Sequence, residues 1–199
     1  MTGADETISF YDEQASEYAA HKSGLTQQQQ LADFVAELPV GARILDLGSG
    51  GGHDALSLTL SGFQVTAVDG SAGLAKEAQE RTGLEVRVLR FEDLDYIEAF
   101  DGVWAAATLH HVASEVLSAV FTKVTMALLP NGLLFASFKE ADTDWHDRFG
   151  RYFCAMTSDR LRNHANEAEL VVDRIERSRG IGYDGSETFW LAMTARRKS

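Results

Sequence analysis

The sequence predicts a doubly wound α/β fold: a mostly parallel, seven-stranded sheet with helices on both faces and an antiparallel hairpin at its C-terminal end. Three observations carry this expectation. Between residues 42 and 138, short apolar runs alternate with amphipathic runs at helical spacing. The first apolar run ends in a cluster of glycines. Near the C-terminus, two strand-like runs follow one another with no helix between them.

The elements follow in chain order. Leu31, Phe34, Val35 and Leu38 share a helical face, Thr26 with Gln29 fits a capping box, and Pro39 and Gly41 stop the helix. ARILDLG is a buried strand, DALSLTLSG a helix ended at Gly62, and FQVTAVDG the second strand. AGLAKEAQERTG is a helix stopped at Gly83, LEVRVLRF the third strand and FDGVWAAAT the fourth. Residues 114–129 give the clearest helix, with Leu117, Val120, Phe121, Val124 and Leu128 on one face and Ser114 as its cap. Pro130 and Asn131-Gly132 turn the chain into LLFASF, the fifth strand. Strands alternating with helices require parallel pairing, and right-handed crossovers place the helices on both faces. AELVVDRIERS and ETFWLAMTARR, joined by RGIGYDG, complete the sheet as an edge hairpin.

The chain of 199 residues suits one domain. It divides into an N-terminal helical cap (1–40), a ligand-binding core (41–138), a substrate-side insert (139–168) and the hairpin (169–199). A formal net charge of −12 opposes phosphate backbones, so no nucleic-acid partner is expected. Cys154 is the only cysteine, which excludes an internal disulfide and a cysteine-ligated zinc. The opening MTGADETISFYDEQ lacks the pattern of a signal peptide, and no apolar run has membrane-spanning length. A cytoplasmic protein, monomer or homodimer, is the expectation.

The chemistry gathers at the end of the first strand, in Asp46-Leu47-Gly48-Ser49-Gly50-Gly51-Gly52-His53. Glycines are needed where backbone turns sharply or lies against a ligand, and this place is the ligand crevice of a doubly wound sheet. The next helix offers free N–H groups to an anion. Asp69 ends the second strand, where an acid accepts bonds from ribose hydroxyls and has little structural use. A nicotinamide dehydrogenase uses the same corner. Its G-x-G-x-x-G pattern wants a small residue where this chain has His53, which argues against a pyrophosphate binder.

ILDLGSGGG resembles the first motif of class I S-adenosylmethionine-dependent methyltransferases, a family with a Rossmann-like fold, and VTAVDGS resembles their second. RFEDL, FDGVWAAATLHHV and LLPNGLLFASF are similar to the later motifs, in order. FYDEQASEYA is similar to the opening of small-molecule members. Asn131 stands where many relatives turn on a glycine, and positive φ suits it. The resemblance implies S-adenosyl-L-methionine as cofactor and a small-molecule acceptor. It implies that Gly48 and Gly50 lie against the methionine part, with Asp46 holding the loop and, through it or water, the amino group. Asp69 binds the ribose hydroxyls, with Gly70 and Ser71 beside it. Glu92 or Asp93 binds the adenine amino group, with Phe91 or Leu94 against the ring. The Ala106 carbonyl meets the methionyl ammonium, and Tyr11 and Tyr18 close over the cofactor.

Methyl transfer is an in-line displacement, so the protein must orient the reactants and exclude water. A base is needed only where the acceptor loses a proton. His110 and His111 follow the fourth strand, and His110 is the candidate base. Adjacent in sequence, the two are expected to point apart, with His111 satisfying backbone near Ser114. No metal site is expected. The insert carries Lys139, Arg148 and Arg151 among Trp145, Phe149, Tyr152 and Phe153. It reads either as a site for a flat or carboxylate-bearing substrate or as a surface helix with one packed aromatic side. A non-catalytic module that binds the same cofactor is the alternative to an enzyme.

Overall fold

The computed structural model describes residues 3–21 and 25–199, apart from the side chains at 4, 25 and 26. The Thr26 capping box therefore concerns a side chain outside the described residues. The strands are β1 (Arg43–Leu47), β2 (Gln64–Asp69), β3 (Val86–Val88), β4 (Phe100–Ala105), β5 (Leu128–Lys139), β6 (Trp145–His146), β7 (Tyr152–Phe153), β8 (Leu170–Ile181) and β9 (Glu187–Arg197). The helices are α1 (Gly3–Glu13), α2 (Ala15–Ala20), α3 (Leu25–Ala36), α4 (His53–Leu60), α5 (Ala72–Thr82), α6 (Ser114–Ala127) and α7 (Ser158–Glu167).

The main sheet has seven strands in the order β3-β2-β1-β4-β5-β9-β8. The first five pair in parallel, while β5–β9 and β9–β8 are antiparallel, as the hairpin required. Alternation along β1 sends Leu45 and Leu47 into a core with α6, and Ile44 into a core with Phe34 of α3, Leu58 of α4 and Trp104. Both faces are covered, so these strands read as continuous apolar runs. The order reverses between β1 and β4, and the crevice outside their carboxyl ends is where such sheets bind ligands.

Four local expectations need correction. The third strand is Val86–Val88, much shorter than LEVRVLRF, because Val88 pairs with Asp69, the last residue of β2. Beyond it the chain folds into a 3₁₀ turn, Phe91–Asp93. The turn at Pro130–Gly132 is absorbed into β5 as an irregularity against β4, with Asn131 at the positive φ expected of it, 63°. Ser114 does not cap α6: Ala113 holds that position, and the Ser114 hydroxyl donates to Asp144. The insert is no simple surface helix. It makes the β6–β7 hairpin, turning at Gly150, before α7.

Candidate active site

The first cleft lies at the carboxyl ends of β1, β2 and β4 and encloses about 740 Å³, its open mouth included. Gly48 and Gly50, Asp69 to Ser71, Phe91, Glu92, Ala106 to Thr108 and His111 line it, roofed by Tyr11 and Tyr18 from α1 and α2. An adjoining cleft shares Tyr18, Gly48, Gly50, Ala106 and Ala107 and adds Asp46, His53, Asp54, Tyr183 and Trp190.

The glycine loop is shaped by steric need. Gly48 has φ 75°, and a Cβ on it would lie 1.9 Å from Thr108 Oγ1. Only glycine lets the end of β1 pass the end of β4 here. Asp69 braces the loop: one carboxylate oxygen accepts from the Gly50 N–H at 2.8 Å and the other from the Ser71 N–H at 2.8 Å. The expectation that this acid has little structural use is thus wrong. Burial lifts its carboxyl to about 6 against these donated bonds. Ser71 spends its hydroxyl elsewhere. It accepts from the Leu74 N–H, capping α5, and donates to Asp12 of α1 at 2.6 Å. Gly70 lies on the cleft wall beside them.

Asp46 is buried, and its Oδ2 has no partner among the described residues; neither has Ser49 Oγ. Burial, with Asp54 and Asp69 nearby, pushes the Asp46 carboxyl well above the carboxylate range. A buried acid left without a partner is costly, and a cation reaching it would remove that cost. Ala106 stands where both clefts meet. Of the two candidate acids after β3, Glu92 lines the cleft with Phe91, whereas Asp93 is exposed and Leu94 is committed to the core.

The histidines are not where the sequence suggested. His111 lines the cleft; His110 lies behind it, 2% exposed. They do not point apart, because their Nε2 atoms are 3.2 Å from each other. The 3₁₀ turn Leu109–His111 brings both rings to one side, where Phe153 packs against each. His111 Nδ1 donates to the Tyr152 carbonyl at 2.6 Å, and its Nε2 meets the Tyr11 hydroxyl at 3.0 Å. Burial brings His111 down to about 3 and His110 well below its usual value, so both rings are neutral at pH 7.

Arg151 is buried, bound twice to Asp147 (2.8 and 2.6 Å), and donates to the Tyr11 hydroxyl at 2.9 Å. Five rings surround its guanidinium: Phe10, Tyr11, Phe149, Phe153 and Tyr183. Lys139 is also buried, 3.8 Å from Asp184 and over the Phe153 ring. Arg148, by contrast, is exposed. Sequence reasoning missed Thr108, Asp54, Tyr183 and Trp190. An aromatic at the tip of the glycine-rich hairpin turn was the signal available for Tyr183. Among the described residues no group of three His, Cys, Asp or Glu side chains is placed to hold a metal.

Residues 44–132 match a family described as a methyltransferase domain. A ubiquinone biosynthesis O-methyltransferase from Xanthomonas axonopodis pv. citri is 39% identical over 106 residues, 50% of this chain and 44% of that protein. The chain thus spans under half the length of that relative. An uncharacterized methyltransferase from Staphylococcus carnosus is 27% identical over 65% of this chain and 66% of its own. The 1,6-didemethyltoxoflavin-N1-methyltransferase of Burkholderia thailandensis, solved with S-adenosylhomocysteine, superposes with a TM-score of 0.77 at 24% identity, covering 99% of this chain and 87% of that one. Sheet order and superposition agree on the fold of that methyltransferase, and the glycine loop lies within residues 44–132, the segment that matches a methyltransferase domain.

Proposed function

We propose that this chain transfers a methyl group from S-adenosylmethionine to a small-molecule acceptor. The observation that carries the reading is a pair of adjoining clefts sharing Tyr18, Gly48, Gly50 and Ala106, one lined by the acid Asp69 and a polar edge of Tyr11 and His111, the other by an unpartnered buried acid, Asp46. The donor fits these residues. In this reading Asp69 receives the ribose hydroxyls, and Glu92 and Phe91 take the adenine side, all of them lining the same cleft. Gly48 and Gly50 admit close approach of the methionyl part. Asp46 and the Ala106 carbonyl answer its ammonium, and Asp46 gains there the cation it lacks. Bound there, the donor supplies a methyl group already attached to a good leaving group, its sulfonium.

The protein then orients the reactants and keeps water out. Tyr11 and Tyr18 pack edge to face, with ring centroids 4.8 Å apart, and Tyr18 meets Tyr183 at the same distance. These rings close the cleft from the side of α1, α2 and the β8–β9 tip. His111, rather than His110, is the imidazole on the acceptor side.

A screen of metabolites for methyl transfer from methyl-labelled S-adenosylmethionine tests the activity, with calorimetry of S-adenosylhomocysteine and NAD beside it. Binding of the first nucleoside and not of NAD, with turnover on at least one metabolite, is the expected result. Preference for NAD would overturn the reading. Tyr11→Phe should lower turnover on the acceptor so found by roughly 10²-fold while S-adenosylhomocysteine affinity changes little. Unchanged turnover would remove Tyr11 from the acceptor side.

A further inference from the structure

We propose that the acceptor attacks through a hydroxyl or a conjugated ring N–H, and that His110 enforces this choice by holding His111 neutral beside Tyr11. The inference rests on the reading above, in which the Tyr11–His111 edge faces the transferred methyl group.

The hydrogen positions follow from the partners. A carbonyl only accepts, so the 2.6 Å contact with Tyr152 places a proton on His111 Nδ1. The lone pair of neutral His111 is then on Nε2. Tyr11 accepts from Arg151 and is also paired with the Tyr18 hydroxyl; its hydrogen goes to the His111 lone pair, 3.0 Å away, rather than to Tyr18. His110 Nε2 approaches the same atom at 3.2 Å. Two bare nitrogens would repel, so His110 carries its hydrogen on Nε2. Its Nδ1 is left as a bare acceptor, and that atom is the one with no partner among the described residues. A buried acceptor without a partner is better tolerated than a buried N–H without one.

A proton added to His111 Nε2 would therefore displace the Tyr11 hydroxyl and the His110 N–H, which share its single lone pair. Burial opposes a charge on His111 first, and the charged groups around it are divided. Tyr11 comes from α1, His110 from the same turn, Arg151 and Asp147 from the β6–β7 hairpin, and Lys139 from β5. Arg151 and Lys139 oppose a positive His111, and Asp147 favours one while bound to Arg151. This edge is a weak base, and a weak base takes a proton only from a strong acid. A hydroxyl or conjugated N–H becomes a strong acid as its atom gains the methyl group. An aliphatic amine does not; it also arrives as an ammonium, which Arg151 and Lys139 repel. In the step, the acceptor atom gives a lone pair to the methyl carbon while the carbon–sulfur pair returns to sulfur. The acceptor's proton passes to the Tyr11 oxygen as the Tyr11 proton moves to His111 Nε2.

Nitrogen-15 NMR of the imidazoles in the S-adenosylhomocysteine-bound protein tests the arrangement. At pH 7, and down to pH 5, His111 should be neutral with its hydrogen on Nδ1, and His110 neutral with its hydrogen on Nε2. A charged His111 at pH 7, or the opposite tautomers, overturns the proposal in the unaltered protein. His110→Phe should raise the pH at which His111 titrates by more than one unit. His110→Gln, which keeps an N–H near the same place, should leave it low. An unmoved titration in a folded His110→Phe also counts against the role of His110. The metabolite screen decides the class: methylation of a hydroxyl or conjugated N–H agrees, and methylation of an aliphatic amine overturns it. Failure to bind S-adenosylhomocysteine would strike the proposed function, whereas the tautomers read in the free protein would still judge the His110 arrangement.

Discussion

Asp69 braces the glycine loop through Gly50 and Ser71, and the same carboxylate oxygens are the ones proposed to meet the ribose. Asp69→Ala should weaken S-adenosylhomocysteine binding by about 1.5–3 kcal/mol, roughly 10- to 150-fold, since bonds to a charged group are lost. The pH dependence has a definite sign. The folded protein raises this carboxyl to about 6, above its unfolded value near ~4. The folded state therefore binds the proton more tightly, and the contribution of Asp69 to stability declines as pH rises through that window. Binding runs the other way, because ribose hydroxyls need the carboxylate to accept both bonds. Affinity should fall roughly tenfold between pH 6.5 and 5, and Asp69→Asn should lose that dependence. Calorimetry across this range checks it, and a flat profile in the unaltered protein would detach Asp69 from the ligand.

The elements that close the cleft come from the two ends of the chain and from the insert. α1 is tied down by Asp12, which accepts from the Ser71 hydroxyl and the Gly73 N–H, and by Asp5, which binds Arg90. Thr7 accepts from the Tyr152 N–H, joining α1 to the β6–β7 hairpin. Behind α2, the Ala19 carbonyl accepts from Arg81, while Ser16 donates to Glu77. These ties are polar and only partly buried, which sets α1 and α2 toward the less stable end of the molecule. Asp12→Ala should loosen them while sparing the sheet. Limited proteolysis should then cut the first 20 residues faster, with S-adenosylhomocysteine affinity lower by roughly 2- to 10-fold and the main thermal transition little moved. Equal cleavage rates in both proteins would mean that Asp12 does not hold the cap. These helices carried weak local signals: α2 is six residues long, too short to stand without its packing on α5.

Across the whole molecule, the net charge of −12 sets a field against polyanions. Of the cations around the site, Arg151 and Lys139 are buried against Asp147 and Asp184, and Arg90 on the cleft wall is bound to Asp5. No retention on heparin or on transfer RNA is expected at physiological salt, and retention of the folded protein on either would contradict this. At the sheet edge, β8 presents Asp173, Arg174, Glu176, Arg177 and Arg179, a mixed-charge edge of the kind that resists pairing with another strand. Among the described residues no helix is long and apolar enough to cross a membrane.

Local chemistry made much of this legible in the residues themselves. Short apolar runs placed the main strands and helical spacing the helices α3 to α6, because a strand covered on both faces is apolar throughout and a helix covered on one face is apolar at its own period. The glycine loop and Asp69 were readable because turn geometry and a strand end constrain residue type within a few positions. The acceptor side was not, because its contacts join distant residues. Tyr11 meets His111 across 100 positions and Arg151 across 140. No spacing rule reaches that far. Which histidine faces the cleft was decided by a 3₁₀ turn that brings both rings together, so that only the outer one reaches the ligand side. Whether Arg151 would be a solvated surface cation or a buried one was decided by Asp147 and by the five rings that pack around it. Tyr183 joined the site only because the β8–β9 tip folds back over α2. The periodic pattern of a chain records what each residue does for its own element; a site built between elements exists only once packing has brought them together.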